Sequence, residues 1–278
     1  MEHAEALNVI YIRHAHSKYN LWDEMLSDEF KDAEYPEEAE DISELKHVTG
    51  KRDFRLHDST LTKKGISQAS TKMYHSFPIK YVFCSPLRRV LETTYLLFGN
   101  HPNKPKLVVH PLLREIMNLP NDVPYPLQEI EPVYEEKGFD FSLLKLLPQP
   151  QLHFLYTLNS PDKEQLLEAI EHNPETSYLN IIESHKLRKR KFEPKHFHRV
   201  ETYANIRKRA KDFAAFLKSF IKESGCSSNE IAVVTHGEFI KYTTTTEYSN
   251  EHQKVASKPI KNCSYISVDI NKLVNDKY

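Results

Sequence analysis

The chain has 278 residues, 39% of them hydrophobic and 28% charged, and a formal net charge of -1. Apolar and aromatic residues suffice for a core, which excludes a disordered chain, and no apolar stretch approaches the roughly 20 residues that a spanning helix needs. The acidic start Met1-Glu2-His3-Ala4-Glu5-Ala6 has no basic, apolar and small-residue leader, so the expectation is a cytosolic protein, or a nuclear one, with no membrane association. Cys84, Cys226 and Cys263 stand far apart without a Cys-x-x-Cys pair. They predict small buried hydrophobes and neither a disulfide framework nor a zinc clip.

Charge is uneven along the chain. From Asp23 to Glu44 nearly every charge is negative, and from Lys186 to Lys211 most are positive, including Arg188-Lys189-Arg190-Lys191, Arg207, Lys208 and Arg209. Two solvated surfaces that face each other account for this more simply than nucleic-acid binding.

Asn8-Val9-Ile10-Tyr11-Ile12 reads as a buried strand ending at Arg13-His14. A helix starts near Ser17, and the stretch from about 23 to 58 reads as an insertion, partly helical or looped. Leu61 to Ala69 opens a helix with Thr62 at its N-cap and Leu61, Ile66, Ala69 and Met73 on the inner side. Ile79–Cys84 is a second strand. Ser85 is then placed as the N-cap of a helix with Pro86 in its first turn and Leu87, Val90, Leu91, Thr94 and Leu97 on one face.

Leu107–His110 is a third strand, followed by Pro111-Leu112-Leu113-Arg114-Glu115. From 119 to about 194 the chain is Pro-rich and then polar, and reads as a second insertion or cap without strand-helix alternation. Val200 to Phe220 repeats apolar residues at helical steps up to Gly225. Ile231–Thr235 is a buried strand delivering His236-Gly237, and Ser264–Ile270 is a final strand. The expected architecture is α/β, a three-layer sandwich with a mostly parallel central sheet, helices on both faces and two inserted cap segments, as a single domain over 1–278. Ligands in such sheets sit beyond the strand C-termini.

His14 and His236 each follow a buried strand immediately. If those strands are parallel neighbours, both imidazoles reach one sheet edge, and Arg89 and Glu115 reach it as well. Clustered Arg13, Arg89 and two histidines repel one another unless an anion sits among them. A phosphate group fits, because guanidinium forks pair two oxygens at once and the Gly237 amide at a helix start adds a donor. In such a pocket one histidine, held neutral, serves as nucleophile and the other as hydrogen-bond donor. Glu115 would serve as acid and then base, and no metal or cofactor is needed, since arginines stabilise the transferring oxygens.

Arg13-His14-Ala15-His16-Ser17-Lys18-Tyr19-Asn20 resembles the RHG signature of the histidine phosphatase superfamily, the phosphoglycerate-mutase-like proteins. Leu61-Thr62-x-x-Gly65-x-x-Gln68-Ala69, Ser85-Pro86-Leu87-x-Arg89-x-x-x-Thr93 and Thr235-His236-Gly237 resemble that family's further elements, in the family's order. Ala15 departs from the usual glycine. The resemblance implies a phosphohistidine on His14, a phosphate held by Arg13, Asn20, Arg89 and His236, and Glu115 as acid and base. The match at Glu115 rests on Leu112-Leu113-Arg114-Glu115 alone, and Glu238 and Asp58 are alternatives for the acid.

The expected activity is a metal-independent phosphomonoesterase acting on a small-molecule or protein phosphomonoester. Two alternatives are phosphoglycerate-mutase-type transfer and a phospho-ligand-binding scaffold with an inactive pocket. His16, two residues after His14, also suggests a metal-ligand couple, a minor alternative. The remaining histidines read as surface residues, Arg88 as a surface or secondary residue, and Trp22 as packing.

Overall fold

The computed structural model describes residues 6–27, 39–192, 200–244 and 260–275. Its sheet contains β1 (Asn8–Arg13), β2 (Tyr81–Cys84), β3 (Lys106–Val109), β4 (Phe139–Asp140), β5 (Ile231–Thr235) and β6 (Tyr265–Asp269), in the order β4-β3-β2-β5-β1-β6. All pairings are parallel except the antiparallel one between β1 and β6. The helices are α1 (Lys18–Met25), α2 (Ala39–Leu45), α3 (Lys63–Ala69), α4 (Arg88–Phe98), α5 (Leu127–Glu135), α6 (Ser142–Lys145), α7 (His153–Tyr156), α8 (Asp162–Glu171), α9 (Tyr178–Phe192), α10 (Tyr203–Ser224), α11 (Gly237–Thr244) and α12 (Ile270–Asn275).

The central strands are apolar on both faces, as a sheet covered on both sides requires. Side chains alternate across it. Ile12, Val82, Cys84 and Val234 pack with Leu91, Leu97 and Phe98 of α4, whereas Tyr11, Phe83 and Val233 pack with Phe213 and Leu217 of α10 and Ile240 of α11. The expected mostly parallel α/β sandwich is therefore the fold. A further core of Met117, Phe154, Leu155, Leu166, Leu179 and Ile182 lies largely in the second insertion.

β1 and β5 are parallel neighbours with Arg13 opposite Thr235, and the His14 amide donates to the Thr235 carbonyl at 2.9 Å. His14 and His236 thus leave the same sheet edge. The turn between β1 and α1 is then clasped from two helices. The Ala15 amide donates to Thr93 Oγ1 at 3.0 Å, the His16 amide to Gln68 Oε1 at 2.9 Å, and the Thr62 amide to the His16 carbonyl at 3.1 Å. Gly65 passes so close that a Cβ there would stand 2.0 Å from the His16 carbonyl oxygen. Only glycine permits that approach.

Several caps follow the sequence: Ser17 accepts from the Asn20 amide, Thr62 from the Gly65 amide, and Gly225, with φ of 67°, closes α10. Others differ. α4 begins at Arg88 with Leu87 as a cap that makes no side-chain bond, because Ser85 turns its hydroxyl to the Leu87 amide and to His236. Ile66 and Met73 are 48% and 45% exposed rather than inward, since α3 ends at Ala69 and presents Gly65 and Ala69 to the interior.

The second insertion contributes a strand after all. β4 pairs in parallel with β3 after Gly138, whose φ of 86° makes the turn, and at two residues it is too short to show a period. Among the described residues, acids of the first insertion pair with nearby lysines: Asp23 with Lys51, Glu24 with Lys64, Glu40 with Lys63, and Asp41 and Glu44 with Lys18, while the acids from Asp28 to Glu38 lie outside the described residues. Lys186, Arg207 and Arg209, read as solvated, are buried. Of the histidines read as surface residues, His101, His110, His153 and His185 are buried, and His196, His198 and His252 lie outside the described residues. Trp22 is buried as expected, and so are Cys84 and Cys263, while Cys226 is half-buried.

Replacing Gly65 with Ala should push the His16 turn away from α3 and cost about 2 kcal/mol or more of stability. Urea unfolding of the Gly65→Ala variant measures this, and an unchanged midpoint would contradict the close approach.

Candidate active site

The sheet edge opens into a cleft of about 280 Å³ lined by Arg13, His14, Tyr19, Asn20, Arg89, Glu115, Asn118, Asp122, Gly237 and Glu238, among others. The His14 and His236 rings meet edge to face with centroids 5.3 Å apart. All seven residues expected at the site, His14, Glu115, Arg13, Asn20, Arg89, His236 and Gly237, are brought to this region.

His14 is buried, and its Nδ1 lies 2.8 Å from the Ala15 carbonyl oxygen. A carbonyl only accepts, so Nδ1 carries the proton and Nε2 keeps its lone pair. Burial, followed by the charges of Arg89 and Arg13, holds this imidazole well below the usual histidine range. His236 is likewise held neutral by burial and Arg89. Its Nε2 is 2.8 Å from Ser85 Oγ, which also accepts from the Leu87 amide. With the Ser85 proton given to Nε2, His236 carries its own proton on Nδ1.

That Nδ1 and Arg13 Nε are buried atoms with no hydrogen-bond partner among the described residues. Buried polar atoms are almost always satisfied, and an anion reaching both would satisfy these two. Arg13 is fixed otherwise: its NH1 donates to the Ile260 carbonyl at 2.7 Å, and a Cβ on Gly237 would stand 3.3 Å from its Nε. The α11 N-terminus therefore lies against this guanidinium. Arg89 NH1 donates to the Asn121 carbonyl at 2.7 Å, and NH2 lies 3.6 Å from Asp122. The Asn20 carboxamide oxygen accepts from Ser17 and Asn262, leaving its NH2 for the cleft.

Glu115 is a buried carboxyl at the cleft. Its Oε1 accepts from the Ile116 amide at 2.9 Å, and burial, with Asp122 and Glu238 nearby, pushes it up to about 7. Of the alternatives, Glu238 lines the cleft but pairs with Lys241. Asp58 is committed to the Arg88 and Tyr125 amides, and Arg88, far from being a plain surface residue, donates to the Asp58 and His57 carbonyls and covers the Tyr125 ring. The His14–His16 metal couple does not form, because His16 turns its ring nitrogens to Thr62 Oγ1 and Glu24. Among the described residues no group of three or more His, Cys, Asp or Glu is placed to hold a metal ion.

Sequence reading missed Asp122, Asn118 and Tyr19 as lining residues. Asp122 accepts from the Asn118 and Leu119 amides and is itself raised to about 6 by burial. Its sequence signal, Pro120-Asn121-Asp122, is that of an ordinary turn.

Residues 44–120 match the model of the histidine phosphatase superfamily, branch 1. The matched stretch carries Thr62, Gly65, Gln68, Ser85, Arg89, Thr93 and Glu115, so it supplies both the clasp on the His14 turn and the raised carboxyl of the cleft. A search of curated protein sequences found no match.

Solved structures similar to this chain include the ecdysone phosphate phosphatase of Bombix mori in complex with tungstate, 15% identical over 94% of this chain and 88% of that one, with a TM-score of 0.48. Phosphoglycerate mutase from Bacillus anthracis is 15% identical over 98% of both chains, with a TM-score of 0.43. A mycobacterial glucosyl-3-phosphoglycerate phosphatase is 15% identical over 86% of this chain and 77% of that one, with a TM-score of 0.40. No helix among the described residues is long and apolar enough to cross a membrane.

Because folding raises the Glu115 carboxyl from its ordinary 4.5 to about 7, the unfolded chain releases that proton first as pH rises. Stability attributable to Glu115 should therefore fall between about pH 4.5 and 7 and then level off, by on the order of 3 kcal/mol. Comparing Glu115→Gln with the parent by chemical denaturation across that window tests it. A difference that stays constant with pH would show that Glu115 ionises normally.

Proposed function

We propose that the chain is a metal-independent phosphatase that hydrolyses phosphomonoesters, small or protein-borne, through a phosphohistidine on His14. The observation that carries this reading is the pair of unpartnered buried nitrogens, Arg13 Nε and His236 Nδ1, beside a neutral His14 whose lone pair is on Nε2. Arg89, the Asn20 amide and the amide end of α11 complete a cradle for the phosphoryl oxygens.

In the first half-reaction His14 Nε2 attacks phosphorus as the bond to the leaving oxygen breaks, and Glu115 gives that oxygen its proton. The Ala15 carbonyl, holding the Nδ1 proton, stabilises the cationic phosphoimidazole that forms. In the second, the Glu115 carboxylate takes a proton from water as the water oxygen attacks phosphorus. The N–P bond breaks, inorganic phosphate leaves, and both side chains return to their starting states. The arginines stabilise charge on the transferring oxygens through both steps.

His14→Ala should abolish phosphate release from p-nitrophenyl phosphate and the acid-labile label trapped after brief exposure to a radiolabelled substrate. Phosphate binding without label or release in the parent protein would instead identify a scaffold, and recovery of the label on a second hydroxyl compound would identify a mutase.

A second outcome follows from Glu115. With its carboxyl at about 7, kcat/KM for alkyl phosphates, whose leaving oxygens need a proton, should fall tenfold per pH unit above that value. Aryl phosphates with acidic leaving groups should fall far less. Parallel profiles for the two substrate types would remove Glu115 from the acid role.

A further inference from the structure

Beneath the cleft lies a buried ion cluster that the proposed chemistry does not touch. Arg114, Glu201 and Arg209 are all essentially without solvent exposure. Glu201 accepts from Arg114 at 2.6 and 3.1 Å, from Arg209 at 2.7 and 3.2 Å, and from the Met117 amide at 2.9 Å. Most of the remaining donors of the two cations go to one turn. Arg114 NH1 and Arg209 NH2 both reach the Glu115 carbonyl, at 3.0 and 3.2 Å, and Arg209 NH1 also reaches the carbonyls of Leu112 and Arg114. Arg114 Nε donates to Thr157 Oγ1 at 2.9 Å.

Backbone groups on both sides of Glu115 are therefore fixed from below by a cluster whose members come from 114, 201 and 209, with Thr157 of the second insertion bracing it. Breaking an ion cluster of this kind is costly, and three buried charges are an expensive way merely to fill space. We infer that Arg114, Glu201 and Arg209 are positioning residues for the general acid: they hold the 112–117 turn so that the Glu115 carboxyl reaches the leaving-group oxygen. The inference rests on the reading of Glu115 as acid given above. It also gives the second insertion a part in catalysis, since Thr157 lies within it and Glu201 just beyond it.

A positioning role predicts a selective defect. Displacing an acid by a fraction of an ångström to an ångström costs up to the order of 10²-fold where proton donation is needed, and little where it is not. For Glu201→Gln and Arg209→Lys, the ratio of kcat/KM on an alkyl phosphate to kcat/KM on p-nitrophenyl phosphate should drop about tenfold or more relative to the parent. Thr157→Val, which removes one brace and leaves the ion cluster paired, should show the same signature on a smaller scale and keeps the test decisive if the other two variants fail to fold. Equal losses on both substrates, or a lower Tm with an unchanged ratio, would overturn the inference. Glu115→Gln is the control: if it too leaves the ratio unchanged, the acid assignment itself is at fault rather than the positioning.

Discussion

Two imidazoles and two guanidiniums share one buried sheet edge, and the rest of the site depends on how that crowding is tolerated. Burial and the neighbouring cations keep both histidines neutral, so the edge carries two positive charges rather than four. Neutrality is then divided into two roles by single hydrogen bonds. The Ala15 carbonyl makes His14 a lone-pair donor at Nε2, and Ser85 engages His236 at Nε2 and leaves Nδ1 unpartnered. The carboxyls at the same edge respond in the opposite direction, with Glu115 and Asp122 both lifted by burial, which stores a proton where a leaving oxygen would need one.

Such an arrangement requires the segment after β1 to stay in one place, and much of the chain serves that end. Gln68, Thr93 and Thr62 bond the backbone of residues 15 and 16, and Gly65 gives the His16 carbonyl room. Asn262 closes the turn from the other side by donating to the His14 carbonyl and to Asn20. A one-methyl change at Ala15 in place of the usual glycine is accommodated because that side chain packs into the core beside Ile12.

The strands that deliver the histidines and the arginine and acid beside them were legible in the sequence because they sit at the ends of short apolar runs, where chain direction alone fixes the destination. The spaced residues Thr62, Gly65, Gln68, Ser85 and Thr93 were legible as a pattern but not as a mechanism. Their partners are backbone atoms 46 to 78 positions away, or, for Ser85, a histidine 151 positions away. The second insertion hid β4 because two residues carry no period, and Asp122 because a Pro-Asn-Asp turn looks alike whether it faces solvent or a cleft. Buried histidines such as His110, edge-on to Phe213 and tilted against Phe216, were misread because composition treats a neutral ring and a charged one as the same residue. Arg209 failed for the converse reason: it stands in a run of charge with Arg207 and Lys208, of which only Lys208 stays exposed.

The short pairing of β4 with β3 has an architectural meaning. An inserted segment that merely perched on the helical layer could be traded for another without disturbing the sheet. Here the excursion is stitched to the sheet margin at Phe139–Asp140 and returns to the interior at Glu201, so it is part of the frame rather than an accessory. Grafting a foreign cap onto this scaffold would have to reproduce those two anchor points, and the freedom to retailor lies in the span between them.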